Sequence, residues 1–421
     1  MSRSRGLAAA TLALSLTACG PEPVSTDERF LVSFDAHAWS GGALVLRSTA
    51  FQPGGELPRV TVGGTRLGVR PHGSNAVVAA VPDTNGLITL RISLASRGLE
   101  QAGVVRVHGF VDAGSGPEVD GRLLTWPPAS PIPTALGYQR GRLVRLDFRF
   151  NTATIMAPDS GLTSRCLGGP MPSAANPALV VVSACGPMVA VPVRPGAAER
   201  DTGYAFQYDA AMHLGRGQWL VSTGVNQIGI TFTGPVPPGY STDEYRCEHP
   251  DGYVVSPRGD RVVPLYCGSP LGAPVFTPAP PGFAYYLGSD YGVADAAFSA
   301  EGDTLWALDD PASLIAADAA TGRILARTSL RRTGGYGGIA VDPHGPWLYV
   351  AGWSDAYGPI VEVLDRNGLT PVATLRVPST APRPTWAYNT YTTFVPLFDA
   401  VARRLYVVLG DPFVLQFELM P

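Results

Sequence analysis

The sequence predicts an all-β protein, an N-terminal β-sandwich followed by a β-propeller, on three observations. Gly 49 and Pro 40 are spread through 421 residues between short Val, Leu, Ile and Tyr runs, a punctuation that suits many short strands and turns. Beyond the N-terminal leader, uninterrupted apolar stretches of helical period longer than about ten residues are hard to find. A third signal is a motif that recurs at intervals of 42 or 43 residues in the C-terminal part, (256−214), (299−256) and (342−299). Units of that length are the size of a propeller blade of four short strands. With 45% hydrophobic and 15% charged residues, the chain has material for a large core and two or three domains.

The first element is a leader. Arg3 and Arg5 precede the run Leu7 to Leu16, made only of Leu, Ala, Thr and Ser and far too short to span a bilayer. Leu16-Thr17-Ala18-Cys19-Gly20 follows, with small residues before a single cysteine. This resembles the lipobox of bacterial lipoproteins, which implies that residues 1–18 are a signal peptide and that Cys19 becomes acylated residue one. The resemblance further implies membrane attachment through an N-terminal lipid, and two or more acyl chains hold a soluble domain firmly. Gly20 replaces the Asp that retains enteric lipoproteins in the inner membrane, so an outer-membrane address is expected. A polar tether, 19–29, follows.

The second element, 30–112, contains the runs Leu31–Phe34, Ala43–Leu46, Val60–Val62, Ala76–Val81, Leu87–Leu94 and Val104–Val107, separated by Gly, Pro and Asn turns. Six or seven strands in about eighty residues point to a β-sandwich. The stretch Pro58-Arg59-Val60-Thr61-Val62-Gly63-Gly64, with Val77 to Pro82 after it, resembles immunoglobulin-like IPT or TIG domains. Such domains are usually spacers or protein-binding modules.

The third element, 120–421, carries the repeat. Ser256-Pro-Arg-Gly259, Ser299-Ala-Glu-Gly302 and Asp342-Pro-His-Gly345 each precede a strand centred on Val262, Leu305 or Leu348. Leu214-Gly-Arg-Gly217 precedes Leu220 in the same way, and Asp399 precedes Leu405 after 57 residues (399−342). Weaker copies centre on Leu143 and Leu179, and residues 121–421 span seven periods of 43. Seven blades are therefore expected, with six or eight as alternatives. The turn Asp318-Ala-Ala-Thr321-Gly322-Arg323 before a last strand resembles blades of YVTN-type and WD40-like propellers, although the Trp-Asp dipeptide of true WD40 repeats is absent.

Four cysteines remain after Cys19, and an even number in an exported chain suggests disulfides. Three pairings are open. Cys166 and Cys185 flank one blade centre much as Cys247 and Cys267 flank another, and both members of each pair fall on one face of a blade. Cys166–Cys185 and Cys247–Cys267 are thus the expected bridges. Asp243 to His249 gathers metal-ligand types around Cys247 but lacks a second Cys or His at finger spacing.

Function follows from exclusions and from one face. All 31 basic residues are Arg, so lysine chemistry is excluded, and the formal net charge of −3 gives no basic nucleic-acid surface. Motifs for a nucleophile elbow, a zincin or a phosphate loop are missing, and no cofactor is implied. The loops on one propeller face would collect Tyr285, Tyr286, Asp290, Tyr291, Asp309, Asp310, Tyr336, Trp353, Asp355, Tyr357, Trp386, Tyr388, Tyr391 and Asp411. Aromatic rings with polar tips among carboxylates suit recognition of a protein, peptide or glycan. The reading is a non-catalytic envelope binding module. Its alternative is a metal-dependent, lactonase-like hydrolase using Asp309, Asp310, Asp355 and Asp411 in the channel.

Overall fold

In the computed structural model of the chain, the described residues are 30–111, the strands alone between 120 and 232, and then 253–265, 272–278, 281–288, 292–309, 313–330, 336–354, 356–377, 395–409 and 413–418. The leader, Cys19, the tether and all four later cysteines lie outside them. The protein is all-β and built from small sheets that are almost wholly antiparallel.

Residues 37–108 make two sheets. A five-stranded sheet runs in the order His37–Trp39, Leu99–His108, Gly86–Leu94, Arg59–Val62, Thr65–Arg66, with the first pair parallel. A three-stranded sheet joins Ala43–Arg47, Ala76–Ala80 and Val69–Pro71. Alternation along the strands sends Val60, Leu90, Ile92 and Val105 inward to meet Leu44, Leu46, Val77 and Ala79 in one core. Each such side chain contributes roughly 1.5–3 kcal/mol by leaving water. The Gly63-Gly64 turn closes the first hairpin with φ 55° and 86°, the positive angles that a tight two-residue turn needs. The run Leu31–Phe34 is not a strand. It makes a single bridge, Ser33 to Arg47, because the edge partner of Leu99–His108 is His37–Trp39 instead.

From residue 110 onward the described strands form successive sheets of consecutive neighbours. Five of them have four strands each, their strands falling within 120–155, 171–205, 253–287, 293–329 and 336–376. A sheet with three described strands lies within 211–232. The expected unit around Leu305 appears as Val293–Phe298, Thr304–Asp309, Ser313–Asp318 and Ile324–Ser329. First strands of neighbouring sheets lie against one another, Tyr253–Val255 on Val293–Phe298, that strand on Tyr336–Val341, and Tyr336–Val341 on Val395–Asp399.

The last sheet takes its fourth strand from far upstream. Val395–Asp399, Arg404–Leu409 and Phe413–Glu418 are completed by Phe110–Val111, with Phe417 opposite Phe110. Both termini of the 110–418 stretch are therefore bound into one sheet, and an exposed edge is covered. Next to this junction Trp39, only 3% exposed, packs edge-on to Trp347 and Tyr349 and shares a core with Leu375, Phe398 and Leu405. The turn after it is pressed equally close, since a Cβ on Gly42 would lie 3.4 Å from the Ala373 methyl.

Candidate functional site

The repeated Ser or Asp turns out to be a turn-builder. Between the first and second strands, Ser256 Oγ accepts the backbone N–H groups of Asp260 and Arg261 at 3.1 Å, and Ser299 Oγ accepts those of Asp303 and Thr304 at 3.1 Å. Asp342 Oδ1 takes His344 N–H at 3.0 Å and Gly345 N–H at 2.9 Å, while Asp399 Oδ1 takes Val401 and Ala402 at 2.9 and 2.8 Å. All four acceptor residues are buried, and each side chain satisfies two backbone amides of its own turn. The hydroxyls of Ser256 and Ser299 also donate to Asp260 and Asp303 at 2.6 Å. Donation from Ser299, the largest cause, holds the Asp303 carboxyl below its ordinary value.

These turns are tied across the joints between sheets. Arg261 Nε donates to the Ala319 carbonyl at 3.1 Å, and the Tyr285 hydroxyl donates to the same oxygen at 2.8 Å. Burial pushes the Tyr285 phenol up to about 12, which keeps it a neutral donor. Trp306 Nε1 reaches the Arg366 carbonyl at 3.3 Å, and Asp295 Oδ2 accepts Ile339 N–H at 2.8 Å. Arg403 meets buried Asp342 at 2.8 Å.

Within the expected binding face, the described side chains divide. Asp309 ends the second strand of the 293–329 sheet, is 2% exposed, and accepts the Ser313 hydroxyl at 3.1 Å. Trp353 is the next-to-last residue of the equivalent strand of the next sheet and is 8% exposed. Tyr285 spends its ring on the turn at Gly322 and Tyr286 lies 4.7 Å from the Phe283 ring. Tyr357, in the turn after Trp347–Ser354, is 46% exposed. The backbone of Tyr336 begins its strand. Asp290, Tyr291, Asp310, Asp355, Trp386, Tyr388, Tyr391 and Asp411 lie outside the described residues, as does the side chain of Tyr336.

Around Tyr357 the structure adds residues that sequence reasoning missed. Arg376 stacks its guanidinium 4.1 Å from the Tyr357 ring centre and faces the Asp83 carboxylate at 3.7 Å, which in turn accepts the Ser40 hydroxyl at 2.8 Å. Asp83 and Arg376 are 293 positions apart (376−83), and no local pattern marks either of them. Together they form an aromatic and charged seam where the first hundred residues meet the 336–376 sheet. An exposed ring backed by a cation offers apolar area and directed polar contacts at once. Among the described residues no group of three or more His, Cys, Asp or Glu is placed to hold a metal ion.

No family model matches the chain and no curated protein is significantly similar to it. Among solved structures, it is similar to a chain of one described as "Crystal Structure of Mitotic Checkpoint Complex", at 13% identity and a TM-score of 0.47, over 74% of this chain and 94% of that one.

Proposed function

We propose that this protein is a lipid-anchored, non-catalytic module of a bacterial cell envelope, whose C-terminal β-propeller binds another envelope or extracellular protein. The observation that carries the propeller reading is the succession of antiparallel sheets with adjacent first strands, completed by Phe110–Val111 on the last one. Such a ring has seven blades in this reading and needs its two ends joined, which pairing of Phe417 with Phe110 supplies. Residues 30–108 are then an immunoglobulin-like spacer of the IPT or TIG kind, its two sheets sharing the core around Ile92. Cys19 carries the lipid, on the strength of the lipobox resemblance and the leader before it.

Binding is assigned to the edge that bears Tyr357 and Arg376. A photo-crosslinking residue placed at position 357 in cells tests it, against the same residue at position 401, which is 60% exposed in a turn between a first and a second strand. A discrete protein adduct from 357 and none from 401 is expected. Silence at 357, or equal adducts from both, contradicts the binding reading.

A further inference from the structure

We propose that the outer face of the five-stranded sheet rests on an anionic phospholipid surface. Residues opposite one another in register share a face, so Arg66, Thr61, Arg91 and Ala102 form one row across the strands, with Arg59, Ser93 and Glu100 in the next. Thr89 pairs with Val104, and Leu87 lies one pair further along. Arg59, Arg66 and Arg91 are exposed, whereas the strands of this face carry a single acid, Glu100, 3.6 Å from Arg91. Beside these charges on the same face, Val104 is 56% exposed and Leu87, opposite Arg106, is 67% exposed. Cations next to solvent-facing aliphatic side chains on one face match a headgroup layer, where guanidinium meets phosphate and short apolar groups enter the boundary. In a chain of net charge −3, that balance is a local reversal.

The position of the chain's start points to the same occupant. Residues 30–36 lie at the seam of the two sheets: Ser33 bridges Arg47 of the three-stranded sheet, and Val32 donates its N–H to Gln101 Oε1 of the five-stranded sheet at 2.6 Å and accepts from Gln101 Nε2 at 3.0 Å. Cys19 lies eleven residues before Phe30 (30−19). Even fully extended, eleven residues reach no more than about 40 Å, so a lipid on Cys19 keeps residues 30–108 close to the bilayer. This distance argument rests on the lipid-anchor reading above. The arginine face is independent of it.

The test separates the two. The mature chain from residue 19, carrying Cys19→Ser and therefore no lipid, is sedimented with vesicles of phosphatidylglycerol and phosphatidylcholine, and with phosphatidylcholine alone. Binding to the first and not the second is expected, weakening as salt rises. Arg59→Gln, Arg66→Gln and Arg91→Gln together should reduce it roughly a hundredfold, taking each basic group as one favourable contact with the surface. Their exposure leaves the fold intact, which an unchanged melting curve verifies, and a control with Arg323→Gln and Arg404→Gln should bind as the parent does. No binding to anionic vesicles, binding that ignores the three substitutions, or attachment to acidic glycan but not to vesicles overturns the proposal. Failure of the anchor reading shows elsewhere, as absence of acyl groups on Cys19 in the unmutated protein.

Discussion

Arg403 places its guanidinium nitrogen 2.9 Å from Asp342 Oδ1 and 2.8 Å from Oδ2, and so ties the last sheet to the one before it. The acid is fully buried, whereas the Arg403 side chain keeps 25% of its surface in water. Its backbone pays for this position with φ 54°, a left-handed value that an L-residue adopts reluctantly. The two ends of the pair are thus unequal. Arg403→Met leaves a buried carboxylate with two amide donors but without the guanidinium that faces both its oxygens, and is expected to cost about 3–5 kcal/mol. Asp342→Ser keeps an acceptor of the type used at Ser256 and Ser299 and releases a cation that can reach solvent. Thermal denaturation should rank Arg403→Met as the more damaging change.

Removing Trp39 tests how firmly the first hundred residues are held to the rest. Its indole sits against Trp347 and Tyr349 within a core that also contains Phe398. Trp39→Ala should destabilise by about 3–5 kcal/mol. Loss of the joint should also split a single denaturant transition into two, with residues 30–108 melting apart from the remainder.

Gly322 is required twice over. It has φ 74°, and a Cβ at that position would lie 2.3 Å from Tyr285 Cδ2. Gly322→Ala must displace the ring whose hydroxyl holds the Ala319 carbonyl, so a loss of more than about 1 kcal/mol is expected in chemical denaturation. Gly54→Ala has a positive φ of 72° with open space around it. It should lose only the backbone component, which makes it the matched control.

Acid titration reads the repeated serine. Asp303 and Asp318 both lie below the ordinary carboxylate value of 3.8, the first chiefly through the Ser299 hydroxyl and the second chiefly through the Thr321 hydroxyl. A depressed folded value means that the contribution is present above the unfolded value and is lost as pH falls below 3.8 through the folded one. Ser299→Ala should move the Asp303 carboxyl upward in an NMR titration and flatten stability against pH in that acid range. Asp318 should not move.

Much of this architecture was legible in the chain because its signals are local. The Ser or Asp opening four of the repeats is visible because a tight turn uses a short side-chain acceptor for its backbone amides, whichever of the two supplies it. Strands such as Thr304–Asp309 stand out because they are buried on both faces and so read as unbroken apolar runs. Pairing of Phe110 with Phe417 left no trace, since two residues of strand carry no period and their partner lies 307 positions away (417−110). The run Leu31–Phe34 looked like a strand by composition, yet edge pairing went to His37–Trp39, a choice made by the neighbouring strand rather than by propensity. For the candidate face, sequence could collect Tyr285 and Trp353 by position in the repeat. Which of these rings serve a joint between sheets depends on packing that spacing does not encode.

Attachment of this binding module to a bacterial envelope by lipid is read most directly from the intact mass of the protein purified from membranes of a lipoprotein-processing bacterium. The expected chain begins at Cys19 and carries a thioether-linked diacylglycerol and an amide-linked acyl chain. A chain beginning at any other residue, or Cys19 without lipid, would contradict it.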